Sequence, residues 1–144
     1  LLHPTGEWFQ QPFDCYYQNP TPDWGQQGNP EDDPLLDLDD IDGGGPENIG
    51  LSNPENTQTL GNPYIVGVHY NQSRDRFDSD VDYGESFATV RIFIRGELAW
   101  SFEQEDGTAG EKQMLAEDHF WDVAQITWPE AIVTTRDFYL TERP

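Results

Sequence analysis

Phe87-Ala88-Thr89-Val90-Arg91-Ile92-Phe93-Ile94-Arg95, then Gly96-Glu97, then Leu98-Ala99-Trp100-Ser101-Phe102-Glu103, is the stretch that decides the fold class. Its first part alternates, placing Val90, Ile92 and Ile94 on one face and Thr89, Arg91, Phe93 and Arg95 on the other. A period of two marks a half-buried strand, because successive side chains leave a pleated backbone on opposite sides. Gly96-Glu97 supplies the tight turn of a hairpin into Leu98–Glu103.

Working outward, the same texture extends over the second half of the chain. Tyr64-Ile65-Val66-Gly67-Val68-His69-Tyr70 is rich in β-branched and aromatic residues and sets Tyr64, Val66, Val68 and Tyr70 on one face. Phe120–Trp128 and Ala131–Thr135 read as two more strands divided by Pro129-Glu130, and Phe138–Thr141 adds a strand or leaves the domain. Helix is expected only near Glu111 to Asp118, for one or two turns. Strands at short, regular spacing point to an all-β fold, an antiparallel β-sandwich of jelly-roll or Ig-like type. At 144 residues the chain suits one domain. Residues 1–61 form a loop-rich acidic part, 62–135 the main strands, and 136–144 a linker or an exchanged strand.

The loop-rich part has prolines at 4, 12, 20, 22, 30, 34 and 46, which forbid long helices. Leu1–His3, Trp8-Phe9 and Phe13–Tyr17 are its short strand pieces, with turns at Pro4-Thr5-Gly6 and Asn19-Pro20. Within it, Asp32 to Glu47 gathers six aspartates and one glutamate in sixteen residues, and no Lys or Arg precedes Arg74. Mutual repulsion opposes such crowding unless a cation offsets it, and hard oxygen ligands beside Gly43-Gly44-Gly45 point to Ca2+. The EF-hand pattern fails, since a loop starting at Asp37 would put Ile41 at position 5 and Asn48 at position 12. The expected shell is instead Asp37, Asp39, Asp40 and Asp42, closed by Glu47 and joined by Asp14 and Asp23. The competing reading is a solvated acidic loop; Leu35, Leu36, Leu38 and Ile41 weigh against it, because burying them would draw the neighbouring carboxylates together.

The net charge of −21 excludes nucleic acid and anionic membrane as partners. Aromatics at 13% argue against disorder. No apolar run approaches the about 20 residues that span a bilayer. Cys15 is alone, so it is a buried thiol or pairs with another chain. A chain opening at Leu1 reads as processed, and Asn71-Gln72-Ser73 is a glycosylation sequon. No nucleophile elbow, zinc motif or phosphate loop occurs, and His3, His69 and His119 are scattered among apolar residues. Enzymatic activity is not expected.

Leu1–Gly6, Phe13–Gly25, Asp33–Asp40, Gly45–Ile49, Tyr64–Tyr70, Phe120–Ala124 and Ile126–Pro129 together resemble the YfaP-type uncharacterised domains of secreted bacterial proteins. The resemblance implies an extracellular β-sandwich in large surface proteins, with no established catalysis. Members of that family have an acidic strand of the type Asp-x-Asp-Leu-His, and this chain begins inside it. A strand supplied by a neighbouring domain or copy, through a segment like Arg136 to Pro144, would then complete the sheet and build a fibre or tandem array; simple truncation is the alternative. The expected role is a structural or adhesive module that associates with itself or with neighbouring domains. The other reading is calcium-dependent glycan binding, with Trp24 on its Pro-Asp-Trp-Gly turn as the platform, Trp8 beside it, and Trp100 and Trp128 in the core.

Overall fold

A computed structural model describes residues 1–39, 45–73, 78, 80, 82–104 and 107–144. Among them are nine strands and one helical turn: β1 Pro34–Leu38, β2 Asn48–Leu51, α1 Thr57–Leu60, β3 Tyr64–His69, β4 Ser86–Ala88, β5 Arg91–Ile94, β6 Glu97–Ser101, β7 Lys112–Met114, β8 Phe120–Thr127 and β9 Ile132–Leu140. The fold is all-β, as the alternation requires. Ribbons β1–β2, β4–β7 and β5–β6 are antiparallel pairs. A three-stranded sheet has the order β3-β8-β9. Residues 128–131 join β8 to β9, too few for a parallel crossover, so these strands are antiparallel as well.

The chain divides into two compact units, Leu1–Val66 with Gln125–Ile132, and Gly67–Ala124 with Val133–Pro144. Unit 1 has few strands and an aromatic core. Cys15, Trp24 and Tyr64 are buried together, and Leu1, Leu36, Leu51, Ile126 and Trp128 pack against them. Trp24 stacks on Tyr64 at 6.0 Å between ring centroids, and His3 meets Trp24 edge-on at 4.9 Å. Of the short pieces expected in the first third, Leu1–His3 and Phe13–Tyr17 are reduced to single bridges, Leu2 to Asp14 and Ile65, and Tyr16 to Asn19, while Trp8-Phe9 is a turn with Phe9 at φ 59°. The helical turn, not expected, is fixed by Asn56, whose side chain accepts the N–H groups of Gln58 and Thr59, and by Gly61 at φ 88°.

Unit 2 is built from ribbons over a core of Ile92, Met114, Phe120, Trp121, Val123 and Ala124. The hairpin forms as read, with Ile92 buried and Phe93 60% exposed. Its turn lies one residue earlier than expected, at Arg95-Gly96 with φ 54° and 83°, the double positive φ of a type I′ turn. Three further boundaries differ. Phe87–Arg95 is broken into β4 and β5. Glu111–Asp118 contains strand β7 in place of a helix, because Lys112, Gln113 and Met114 pair with β4 and their alternation buries Met114. Ala131–Thr135 and Phe138–Leu140 are one strand, β9, so Arg136 to Leu140 pairs within its own chain.

Candidate functional site

Three of the carboxylates expected to ligate calcium, Asp14, Asp23 and Asp37, accept hydrogen bonds in the described structure. Asp14 is 1% exposed, and its Oδ2 accepts the Phe9 N–H at 2.8 Å. Burial pushes its carboxyl above the usual range, against that bond and the chain-terminal amine of Leu1. Asp23 accepts the Gly28 N–H at 3.0 Å, and Asp37 accepts the Asn48 side-chain amide at 2.8 Å. Asp39 and Glu47 are exposed. Asp40 and Asp42 lie outside the described residues. Among those described, no three His, Cys, Asp or Glu side chains converge on a common point, so Asp14, Asp23, Asp37, Asp39 and Glu47 do not form the expected shell by themselves.

The interleaved leucines are not buried together. Leu36 packs on the unit 1 core, but Leu35 and Leu38 are 47% and 51% exposed. Leu35 leaves the ribbon on the side opposite Leu36, and the register shift between Leu36 and Leu38 breaks the alternation, so Leu38 stays in solvent too and the acidic neighbours are not gathered. Sequence reasoning missed the use of aspartate in place of a ladder partner. Asp33 Oδ1 accepts the Trp24 N–H at 2.6 Å, and Asp32 Oδ2 accepts the Gln26 N–H at 2.9 Å beside Gly25 at φ 59°. The Asp-rich, Pro-rich composition was the available signal, since aspartate bonds its own loop backbone so readily.

Trp24 is no platform. It is 3% exposed, and its indole donates to the Pro12 carbonyl at 2.8 Å. A segment with so few large apolar residues spends its tryptophan on the core. Trp8 is half-buried. Trp100 and Trp128, expected in the core, are half-buried too, and of the two Trp128 packs against the unit 1 cluster. Asn71 is exposed, while the sequon hydroxyl of Ser73 donates to Glu117 Oε1 at 2.8 Å.

The scattered histidines have local partners. His3 Nδ1 accepts the Thr5 N–H at 3.2 Å and its Nε2 meets Glu55 Oε2 at 2.7 Å, which closes a turn inside the aromatic cluster. Beside it, Tyr64 takes the Glu55 N–H on its hydroxyl at 2.7 Å, and burial pushes that phenol up to about 12. His119 Nδ1 lies 2.7 Å from the Tyr139 hydroxyl. Burial pushes His69 down, with Asp118 opposing at 3.3 Å. Cys15 is fully buried, its thiol donating to the Pro20 carbonyl at 3.5 Å and pushed up by burial.

Two kinds of surface stand out among the described residues. One is the pair of ribbon faces turned to solvent. On β5–β6, Phe93 lies opposite Leu98, 60% and 55% exposed, along the strand side that also bears exposed Arg91, and exposed Arg95 begins the turn that follows. On β1–β2, the corresponding face bears Leu35 and Asp37 beside Asn48, and Asp39 follows. The other is a cleft of about 380 Å3 in unit 2 between β6 and β9. A shallower hollow of about 280 Å3 beside α1, lined by Thr57, Asn62 and Glu130, falls below the about 300–1,000 Å3 usual for ligand sites.

The chain matches no protein-family model, and no curated protein or solved structure is significantly similar to it.

Proposed function

We propose that this chain is a non-catalytic structural or adhesive module of extracellular assemblies, joined to copies of itself through its ribbon faces. One observation supports this reading above the rest. In a chain of net charge −21 with seven basic residues, two arginines flank an exposed Phe93–Leu98 pair on one ribbon, while another ribbon presents leucine with aspartate. Each face is the chemical complement of the other: apolar centres meet, and Arg91 and Arg95 face Asp37 and Asp39. A patch that binds a different patch on the next copy is heterologous, and such contacts generate rings or open filaments.

The antiparallel strands with one-sided burial favour a β-sandwich within this reading, and the YfaP-type resemblance favours a place on large secreted proteins. Calcium belongs to the proposal through the acidic sequence from Asp37 to Glu47, on charge density alone. Its role would be to lower the repulsion between acidic faces when copies approach.

Sedimentation velocity across about 1–100 µM tests the association. Mass should rise with concentration, fall as salt screens the charges, and collapse to monomer in Arg91→Glu or Phe93→Ser. A monomer at every concentration sinks the module as a self-assembling unit. Calorimetry with calcium chloride tests the metal separately: absence of heat, with no melting shift on adding chelator, removes calcium and leaves the ribbon contact standing.

A further inference from the structure

Trp100, Ser101, Phe102 and Glu103 from β6 and its exit, with Thr135 and Asp137 from β9, line the cleft of about 380 Å3 in unit 2. Its parts are fixed in place. The Trp100 indole donates to Thr135 Oγ1 at 2.9 Å, which locks the ring of a half-buried tryptophan. Asp137 sits at φ 52° in the middle of a nine-residue strand, a left-handed conformation that strands do not need. Its Oδ1 receives both the Trp121 indole N–H at 2.8 Å and Lys112 Nζ at 2.5 Å. Lys112 in turn lies over the rings of Phe102 and Trp121, 5.0 and 5.4 Å from their centroids. Backbone strain maintained by such a network marks places where a side chain has been re-aimed for a task.

We infer that this cleft binds one unit of a neutral glycan. An aromatic ring offers a flat apolar surface to the C–H face of a pyranose, while hydroxyls and carboxylates around its edge take up the sugar's hydroxyls. Trp100 supplies the ring, since that of Phe102 is taken up by Lys112 and Trp121, while Thr135 and Ser101 supply the hydroxyls, and Glu103 and Asp137 the acceptors. The charge balance selects an uncharged ligand. Lys112 is committed to Asp137, and a molecule of net −21 repels uronic or sialic acids. A cationic ligand would be drawn to the acidic surface at large, and that attraction is screened by salt. The site uses the cleft and not the outer ribbon face, so it stands or falls apart from the self-assembly proposed above.

The test is calorimetry on the whole chain with three neutral trisaccharides, maltotriose, cellotriose and β-mannotriose, each to about 10 mM. At least one should bind saturably, with the same affinity in about 50 and 500 mM salt. Trp100→Ala should weaken it by about tenfold or more, whereas Trp100→Phe, which keeps a ring, should weaken it less. Phe93→Ser should bind as the parent does. Circular dichroism checks that each variant is folded, and the Trp100→Phe protein provides the comparison if Trp100→Ala is not. No saturable heat with any of the three sugars overturns the inference. So does an affinity indifferent to Trp100, or binding that vanishes in high salt. Equally fatal is tighter binding of an uncharged extended peptide, which would make the open edges of β6 and β9 the recognition element.

Discussion

Residues 1–33 of unit 1 and the ribbons of unit 2 satisfy their backbones in opposite ways. Unit 2 pairs strand with strand, so its N–H groups find carbonyls in a ladder and its alternation shows which face is buried. Unit 1 opens with about thirty residues and no strand, and there the carboxylates of Asp14, Asp23, Asp32 and Asp33 take the N–H groups of Phe9, Gly28, Gln26 and Trp24 respectively. Acidic side chains can thus serve as internal acceptors for irregular backbone, each bond strengthened by the charge it bears. The difference teaches that a dense run of aspartate has two physical resolutions, a bound cation or a set of loop N–H groups. Four of the first third's aspartates take the second.

The comparison breaks most severely at Trp24, the side chain on which the irregular segment closes. Trp24→Ala should cost about 3–5 kcal/mol in urea unfolding, whereas Trp100→Ala in unit 2 should cost much less, since its ring is half in solvent. Equal losses would mean that the aromatic cluster is not the support of unit 1. Next in size is Asp33→Ala, which leaves the buried Trp24 N–H without its acceptor; about 1–3 kcal/mol should be lost, with or without chelator present. Stability restored in that variant by calcium alone would return the aspartates to a metal role.

A smaller effect separates charge from hydrogen bonding at Asp14. Burial raises its folded carboxyl above the unfolded value, so its contribution is full below the unfolded pKa and declines as pH rises through the folded one. Asp14→Asn keeps an oxygen for Phe9 and has no charge to bury. Its stability relative to the parent should therefore improve steadily from acid toward neutral pH, as followed by thermal melts. A stability that instead falls relative to the parent over that range would assign the larger influence to the opposing amine of Leu1. Least of all, Phe93→Ser should change unfolding free energy by no more than about 0.5 kcal/mol, because Phe93 is 60% exposed, while abolishing association.

What could be read beforehand divides along the same line. The hairpin around Arg95-Gly96 was legible because period-two burial and a turn glycine agree there, and Ile92 and Phe93 fall on the expected sides. Strand β7 was not, since three residues are too short for any period to be distinguished from a helical turn. Trp24 misled because a Pro-Asp-Trp-Gly turn marks a surface bend in the backbone but says nothing of where the indole points. The cleft was illegible for a deeper reason. Trp100 and Asp137 are 37 positions apart in sequence, and Asp137 reaches Lys112 only through a φ that composition does not reveal.

Cys15 has a practical consequence for anyone who handles this molecule. As the sole thiol, fully enclosed and protonated well into the alkaline range by burial, it is silent toward alkylating reagents in the closed state. Every labelled molecule therefore records one opening of unit 1, and the labelling rate, set against that of the denatured chain, converts directly into the free energy of that opening. The protein contains its own clock for the stability of its least regular part.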